Sequence, residues 1–326
     1  MGNMKVAIVA PVHIQPSEEW VKALWDESVD AKADVIIVDD SDGKVELPWG
    51  AHASVYGYEK QKAEMGEELY AMFEQFHKSS SCKNFGIWLA WRDGYDYIIV
   101  IDSDCIVPKH FVAEHVAALN IPGDGWENPL AESGWYSRGF PFSKRGLPKW
   151  AHMGLWTGAL DLYGTDRVKN PDKKEDDPKI SYLSSPAKIP LSGMNVSFVR
   201  EAVPYMLFLP NFSYNRHKFR RCDDIWGGYI FQKIMEQKGA SLSFGKPWVK
   251  HDSKIVAEED AKEEEAMIKF EDDFCRAIDN CLVFTGTGCK EHNAPQIFGW
   301  LSQELGAHEI FEELRTGLLL HSKLYA

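Results

Sequence analysis

Residues 95–108 read Tyr-Asp-Tyr-Ile-Ile-Val-Ile-Asp-Ser-Asp-Cys-Ile-Val-Pro, a short apolar run followed by two acids. Its apolar run from Tyr97 to Asp102 predicts a strand buried on both faces at the centre of a parallel sheet. Asp102 and Asp104 then lie where an open α/β sheet has its ligand crevice. Two such carboxylates suit a Mg²⁺ or Mn²⁺ ion that also binds phosphates. Taken alone, however, an Asp-x-Asp pair is more often a cap or turn.

The residues before this strand predict a β-strand, an α-helix and a second β-strand. The first strand spans Lys5–Ala10, the helix begins at Ser17, and the second strand spans Asp34–Val38. Asp39 and Asp40 follow the second strand, so they face the same crevice and could accept hydrogen bonds from the ribose or base of a nucleotide. A solvated turn explains either acid alone equally well.

The chain after the central strand alternates helices with a further strand. The predicted elements are a helix from Ser81 to Arg92, a helix from Phe111 to Leu119, a strand within Ile189–Phe198 that turns at Gly193, and a helix from Ile225 to Lys238. Asn195 follows the glycine turn, and its amide can donate and accept hydrogen bonds toward a ligand.

An acidic pair and one histidine later in the chain are further candidates for catalysis or ligand binding. Asp223 and Asp224 open the helix that continues to Lys238, and the helix dipole alone explains two acids there. His251 is the isolated histidine that best fits a metal or phosphate ligand. A histidine whose hydrogen bonds are satisfied inside the core is nevertheless the commoner explanation for such a residue.

Residues 135–156 concentrate positive charge in an otherwise acidic chain. Arg138, Lys144, Arg145 and Lys149 lie among glycines, which let the backbone approach a ligand, and aromatic residues, which can pack on a sugar. The pattern predicts a diphosphate site. The alternative is a surface loop whose basic side chains cover aromatic packing.

Composition narrows the class of protein. The chain has 326 residues, 44% hydrophobic content and a formal net charge of −13, which argues against a broad nucleic-acid or anionic-membrane surface. Six scattered cysteines indicate neither a zinc motif nor a disulfide framework. No apolar run approaches the roughly 20 residues of a membrane span, and no signal peptide pattern is present, so we expect a soluble cytoplasmic protein without a membrane partner.

The chain from Glu258 onward predicts helices. These span Glu258 to Cys281, Asn293 to Leu305 and His308 to Leu324. We expect this tail to cap the sheet or, alternatively, to form the surface of a homo-oligomer.

Five motifs together resemble the reversibly glycosylated polypeptides, a family that includes plant UDP-arabinopyranose mutases. Residues 138–145, Arg-Gly-Phe-Pro-Phe-Ser-Lys-Arg, are similar to the family's Arg-Gly-Tyr-Pro-Phe-Ser-x-Arg. The other similar segments are His-Met-Gly-Leu-Trp at 152–156, Gly-Met-Asn at 193–195, Arg-Cys-Asp-Asp-Ile-Trp-Gly-Gly at 221–228 and His-Asp-Ser-Lys at 251–254. They occur in the family's order.

The resemblance implies a single Rossmann-like glycosyltransferase A fold with a mainly parallel central sheet. The matching motifs lie between about Lys5 and Lys254, and they imply a catalytic domain over residues 1–257 and a UDP-sugar substrate. The helical pattern beyond them predicts a C-terminal extension over residues 258–326. Mn²⁺ or Mg²⁺ would be held by Asp102, Asp104 and His251. The residues expected to bind the nucleotide sugar are Asp39, Asp40, Lys83, Asp102, Gly193, Asn195 and Lys254. The expected catalytic residues are Arg138, which matches the family's glycosylated arginine, Arg145, Asp223 and Asp224.

Three function classes follow. The first is a metal-dependent UDP-arabinopyranose mutase that interconverts the pyranose and furanose forms of a UDP-pentose. Arg138 would then either bond the sugar, with Asp223 or Asp224 withdrawing a proton, or only clamp the diphosphate. The second class is a glycosyltransferase that delivers sugar to a glycan, a lipid or a modified base. The third is a binding subunit without turnover.

Overall fold

The computed structural model describes residues 4–46, 53–125, 135–171, 174–175, 183–185, 189–252, 256–283 and 288–326. Its strands are β1 (Val6–Val12), β2 (Asp34–Asp39), β3 (Ala53–Tyr56), β4 (Tyr97–Ile101), β5 (Cys105–Ile106), β6 (Lys149–Ala159), β7 (Lys174–Glu175), β8 (Leu183–Ser185), β9 (Asn195–Val199), β10 (Phe212–Tyr214), β11 (His217–Phe219) and β12 (Ser241–His251). Its α-helices are α1 (Glu18–Ala31), α2 (Tyr58–Met65), α3 (Glu67–Phe73), α4 (Lys83–Arg92), α5 (Phe111–Leu119), α6 (Gly164–Lys169), α7 (Asp223–Lys238), α8 (Ala257–Glu263), α9 (Glu265–Val283), α10 (Ala294–Glu304) and α11 (Leu314–Leu324).

One large sheet organises the described chain. Its strand order is β3-β2-β1-β4-β9-β6-β12-β5, and β7 and β8 pair at the sides of β6 and β12. The strands β3, β2, β1 and β4 run parallel, as do β6 and β12, whereas β9 is antiparallel to both β4 and β6. The predicted α/β class with a mainly parallel central sheet is therefore confirmed. The central strand β4 has a parallel neighbour on one side only.

Strand β4 is buried on both faces, as its sequence predicts. Ile98 and Val100 pack into one hydrophobic cluster, and Ile99 and Ile101 pack into the cluster on the opposite face. Alternate residues of a strand point to opposite faces, so an uninterrupted apolar run requires cover on both. This burial fixes β4 rigidly and so fixes the position at which Asp102 leaves the sheet.

The C-terminal helices pack on the same core as the sheet. Phe274 and Ile278 of α9 and Leu318 of α11 belong to the cluster that also contains Ile98. The ring of Phe274 stacks on Trp226 of α7 with centroids 4.1 Å apart. The predicted helical tail is present and covers the sheet, while its boundary at residue 258 stays a prediction.

Three predicted element bounds are wrong. The helix expected over Glu258–Cys281 is two helices, α8 and α9, because Glu264 turns inward between them and is 4% exposed. The last helix begins at Leu314 rather than His308, after short 3₁₀ turns. Residues 149–159 form strand β6 instead of continuing the basic loop, since the six residues from Lys149 to Gly154 are all buried.

None of the helices in the described part of the chain is both long enough and apolar enough to cross a membrane.

Candidate functional site

A buried lysine lies at the carboxyl end of β4. Lys83, the first residue of α4, is 1% exposed, and its Nζ donates to Asp102 Oδ1 at 2.7 Å and to the Gly193 carbonyl at 3.1 Å. Burial lowers the pKa of Lys83, but the charges of Asp102 and Asp223 outweigh it and raise that pKa above its ordinary value. The lysine therefore keeps its charge, and two other predicted site residues, Asp102 and Gly193, meet at its amino group.

Gly193 is required at this point by close packing. A Cβ atom there would lie 2.6 Å from the ring of Phe208 and 3.1 Å from Lys83 Nζ. Its amide donates to Asp224 Oδ2 at 2.8 Å. The glycine turn thus joins the start of α7 to the lysine beside Asp102.

The two acids that open α7 have different partners. Asp223 accepts a hydrogen bond from the Ser80 hydroxyl, whereas Asp224 accepts from the backbone amides of Gly193 and Ile225. Burial, followed by the charge of Asp223, raises the pKa of Asp224 to about 8. At neutral pH Asp224 therefore carries its proton.

Asp104 and His251 form a second pair at the same edge of the sheet. Asp104 Oδ2 lies 3.6 Å from His251 Nε2. The other ring nitrogen, Nδ1, donates to the Ala159 carbonyl at 2.8 Å, so Nε2 faces the carboxylate. The Asp104 side chain is 42% exposed, which leaves it open to a ligand.

These donors fit a divalent metal ion. Carboxylate oxygen and imidazole nitrogen are ordinary ligands for Mn²⁺. At this edge of the sheet, the described residues that could close on an ion are Asp104, His251 and the adjacent Cys105. Burial raises the pKa of the Cys105 thiol well above its ordinary value. Asp102 instead faces Lys83, so the structure brings together two of the three predicted metal ligands.

The predicted nucleotide-binding acids at the end of β2 are both buried. Asp39 Oδ1 accepts from the amide of Ser41 at 2.9 Å and from its hydroxyl at 2.5 Å. Asp40 is 5% exposed. Its donors are the Tyr58 hydroxyl and His77 Nδ1, each at 2.9 Å, the Lys78 amide at 2.5 Å and His13 Nδ1 at 3.1 Å. All four of these protein groups donate hydrogen bonds to the Asp40 carboxylate.

Asn195 is fully buried rather than open to the crevice. Its amide nitrogen donates to the carbonyls of Leu155 and Pro247, both at 3.0 Å, and its oxygen lies 2.8 Å from His115 Nε2. Since both donor positions are used by backbone, Asn195 ties β9 to β6 and β12. In this conformation it has no surface to offer a ligand.

The basic loop makes no hydrogen bond or ion pair with the acids of α7 among the residues that the structure describes. Arg138 is exposed and makes no hydrogen bond or ion pair to any residue that the structure describes. The Arg145 guanidinium lies over the rings of Phe142 and Tyr136, 3.9 and 4.3 Å from their centroids, and donates to the Phe140 carbonyl at 2.9 Å. Phe142 is 82% exposed, so the loop presents an aromatic and cationic surface.

Some residues of the site were not predicted from the sequence, and one predicted residue lies outside the part of the chain that the structure describes. Lys254 lies outside the described residues. Burial is the main cause of the raised pKa of Asp224, and the charge of Asp161, just beyond β6, adds to it. Burial lowers the pKa of His251, but Asp104 and, to a lesser extent, Asp161 outweigh it and raise that pKa. His13 and His77, which contact Asp40, come from separate loops. Of these two, only His13 could have been placed beside the crevice from the sequence, because it directly follows β1.

The fold and this crevice define an α/β protein that gathers carboxylates, a buried lysine and a histidine at one edge of its sheet. The model of the family "Reversibly glycosylated polypeptide" matches residues 3–294. The chain therefore belongs to that family, as its motifs predict.

Two curated plant proteins are similar to this chain. "Probable UDP-arabinopyranose mutase 5" of Arabidopsis thaliana is 30% identical over 234 residues, which cover 66% of this chain and 65% of the relative. "Probable inactive UDP-arabinopyranose mutase 2" of Oryza sativa subsp. japonica is 26% identical over 234 residues, with the same coverage of both chains. The matched region thus spans 65% of the length of these relatives.

A solved structure from Desulfovibrio desulfuricans G20, whose name describes a nucleotide-diphospho-sugar transferase, aligns with a TM-score of 0.37 and 10% identity. The alignment covers 84% of this chain and 97% of that one.

Proposed function

We propose that this chain is a UDP-arabinopyranose mutase-like enzyme that interconverts the pyranose and furanose forms of a UDP-pentose with the help of Mn²⁺ or Mg²⁺. The observation that carries the proposal is the meeting of Lys83, Asp102, Asp104 and His251 at the carboxyl edge of the sheet, in a chain of this family. A diphosphate needs cations and ordered donors at such a position.

Ring interconversion begins with cleavage of the bond between the sugar C1 and the diphosphate oxygen. UDP leaves with the bonding electron pair, and its developing charge has to be stabilised. A divalent ion held by Asp104 and His251 would neutralise part of that charge. Lys83 holds the Asp102 carboxylate in place and supplies a fixed positive charge beside it.

The ring bond between C1 and O5 of the freed pentose then breaks and O5 takes up a proton, while O4 loses its proton and bonds to C1. The diphosphate oxygen of UDP finally bonds to C1 again. In the covalent route a guanidinium nitrogen of Arg138 bonds to C1 and loses a proton, which a carboxylate accepts. Asp224 is protonated at neutral pH, so Asp223 is the base that we assign. Arg138 contacts neither acid in the described structure, and the route therefore requires the basic loop to approach α7 when the donor binds.

A second candidate function is transfer of the sugar to a separate acceptor. It is favoured by one observation: Trp135 and Phe142, which flank Arg138, are 74% and 82% exposed. Exposed aromatic rings suit the apolar faces of a glycan acceptor. Such an enzyme would use the same donor site and differ only in what receives the sugar.

The test is incubation of the purified chain with UDP-arabinopyranose and Mn²⁺ in the absence of an acceptor. Chromatography resolves the nucleotide sugars, and intact mass reports any adduct. We expect UDP-arabinofuranose to form, and its formation to stop with EDTA. Unchanged donor, followed by turnover only when a glycan acceptor is added, would replace the mutase with the transferase. Donor that stays intact with every acceptor would indicate a binding subunit.

A further inference from the structure

A second group of metal-ligating side chains lies at the ends of β1 and β2, outside the pair of Asp104 and His251. His13 follows β1, Asp40 follows β2, and Cys82 precedes α4. One ligand atom from each residue lies within 4.8 Å of the other two. The imidazole, carboxylate and thiol come from three separate segments, so their convergence is a property of the fold.

The spacing of these atoms is close to that of a tetrahedral zinc site. His13 Nδ1 and Asp40 Oδ2 are 3.1 Å apart. Two donors at about 2.0–2.1 Å from a tetrahedral ion are separated by about 3.3 Å. The Cys82 sulfur lies within 4.8 Å of both atoms, and a tetrahedral ion with a Zn–S distance of about 2.3 Å would bring it to about 3.6 Å from each.

The carboxylate of Asp40 is already oriented by other groups. The Tyr58 hydroxyl, His77 Nδ1 and the Lys78 amide all donate to it. Hydrogen bonds of this kind hold the ligands of metal sites in place, and their loss costs about 10–100-fold in affinity. The His13 side chain is 36% exposed, which gives an ion a path from solvent.

We propose that His13, Asp40 and Cys82 bind a Zn²⁺ ion and leave its fourth coordination position open. A thiolate ligand selects Zn²⁺ over Mg²⁺ or Mn²⁺, which distinguishes this site from a hard-metal site at Asp104. The ion takes the place of the proton between His13 and Asp40 and of the thiol proton, and it supplies the positive charge that a buried thiolate needs.

The test is titration of the full chain, reduced and freed of metal, with Co²⁺ and then Zn²⁺. Cobalt bound by a thiolate gives a charge-transfer band in the near ultraviolet. We expect this band to reach saturation at one equivalent and Zn²⁺ to displace it. Cys82→Ala should abolish the band, whereas Cys105→Ala, which alters the group of Asp104 and His251, should keep it.

His13→Ala tests the site without altering a fully buried residue. We expect it to weaken Zn²⁺ binding at least tenfold, while His308→Ala, at an exposed histidine, leaves affinity unchanged. The proposal is overturned if the parent chain shows no thiolate band, if Cys82→Ala retains it, or if His13→Ala binds Zn²⁺ as tightly as the parent. No step uses a nucleotide sugar, so these outcomes are independent of the proposed enzymatic function.

Discussion

Lys83 Nζ lies 2.7 Å from Asp102 Oδ1, and this ion pair joins the start of α4 to the end of β4. The lysine is 1% exposed, whereas the Asp102 side chain is 29% exposed. One oxygen of the carboxylate is thus neutralised from inside the protein. The pair makes Asp102 the anchored member of the Asp-x-Asp motif and leaves Asp104, two residues on, free to face His251.

Replacement of this lysine should destabilise the fold. We expect Lys83→Met to lower the free energy of unfolding by about 3 kcal/mol, because the Asp102 carboxylate loses the counter-charge that the buried Lys83 supplies. Urea unfolding measures the change. Lys323→Met, which breaks an exposed pair with Glu68, is the matched control and should have little effect. Equal losses of unfolding free energy in the two variants would show that the buried Lys83 pair stabilises the fold no more than the exposed Lys323 pair does.

Asp104 should carry the metal dependence of donor binding. We expect Asp104→Asn to weaken Mn²⁺-dependent UDP binding at least tenfold, since an amide is a poorer ligand than a carboxylate for a hard cation. Calorimetric titration with UDP, with and without Mn²⁺, measures this. Asp273→Asn on the exposed side of α9 is the control. If Asp104→Asn binds UDP and Mn²⁺ as the parent does, the metal is held elsewhere.

Arg138 should matter for ring interconversion and not for nucleotide binding. On the covalent route we expect Arg138→Ala to keep UDP affinity within about twofold while the conversion rate falls at least a hundredfold, as expected when an interaction made only during reaction is removed. Arg216→Ala, at another exposed arginine, should keep both properties. Rates come from chromatography of the products. A variant that still interconverts the rings would exclude a covalent role for Arg138.

The parts of the fold that local sequence patterns control were predictable. The run from Tyr97 to Ile101 specifies a strand with two apolar faces, and the acids after it mark the crevice edge. Strand β6 escaped prediction because Lys149, His152 and Gly154 interrupt its apolar pattern, although the folded protein buries all three. Their burial depends on β9 and β12, which pair with β6 only in the assembled sheet.

The contacts between site residues were harder to predict from the sequence than the location of each residue along the edge of the sheet. His251 lies beside Asp104 because its register partner in the antiparallel pair of β12 and β5 is Cys105, the residue after Asp104. The pairing of Lys83 with Asp102 depends on how α4 docks on the sheet, which no local pattern encodes. Asn195 seemed open to a ligand because a glycine turn precedes it, yet the strands on either side bury its amide completely.

The protonated state of Asp224 should appear as a pH dependence of stability. Folding raises the pKa of Asp224 from 3.8 to about 8, so the native state binds more protons than the unfolded chain between these values. The free energy of unfolding should therefore fall as the pH rises through this window. Asp224→Asn has no group to titrate there, and we expect its stability relative to the parent to increase from about pH 5 to about pH 9. Urea unfolding at both ends of this range measures it, and a constant difference would contradict the assignment.

Arg221 should hold the start of α7 against the C-terminal helices. Its Nε donates to Glu264 Oε1 at 3.0 Å, and its Nη1 lies 3.4 Å from Asp260 Oδ1. Both acids are 4% exposed. We expect Arg221→Met to lower the free energy of unfolding by about 2 kcal/mol, because the buried Glu264 loses its counter-charge and Asp260 keeps only its ion pair with Arg167.

A double-mutant cycle with Glu264→Gln assigns that loss to the ion pair. We expect a coupling energy of about 1–2 kcal/mol between Arg221 and Glu264, measured by urea unfolding of the parent, both single variants and the double variant. Arg276→Met removes an exposed arginine that pairs with Asp273 on α9, and it should change stability little. Additive single losses would show that the arginine acts through packing alone. A measurable coupling energy would instead establish that the ion pair between Arg221 and Glu264 stabilises the packing of the helical tail against the start of α7, which carries Asp223 and Asp224.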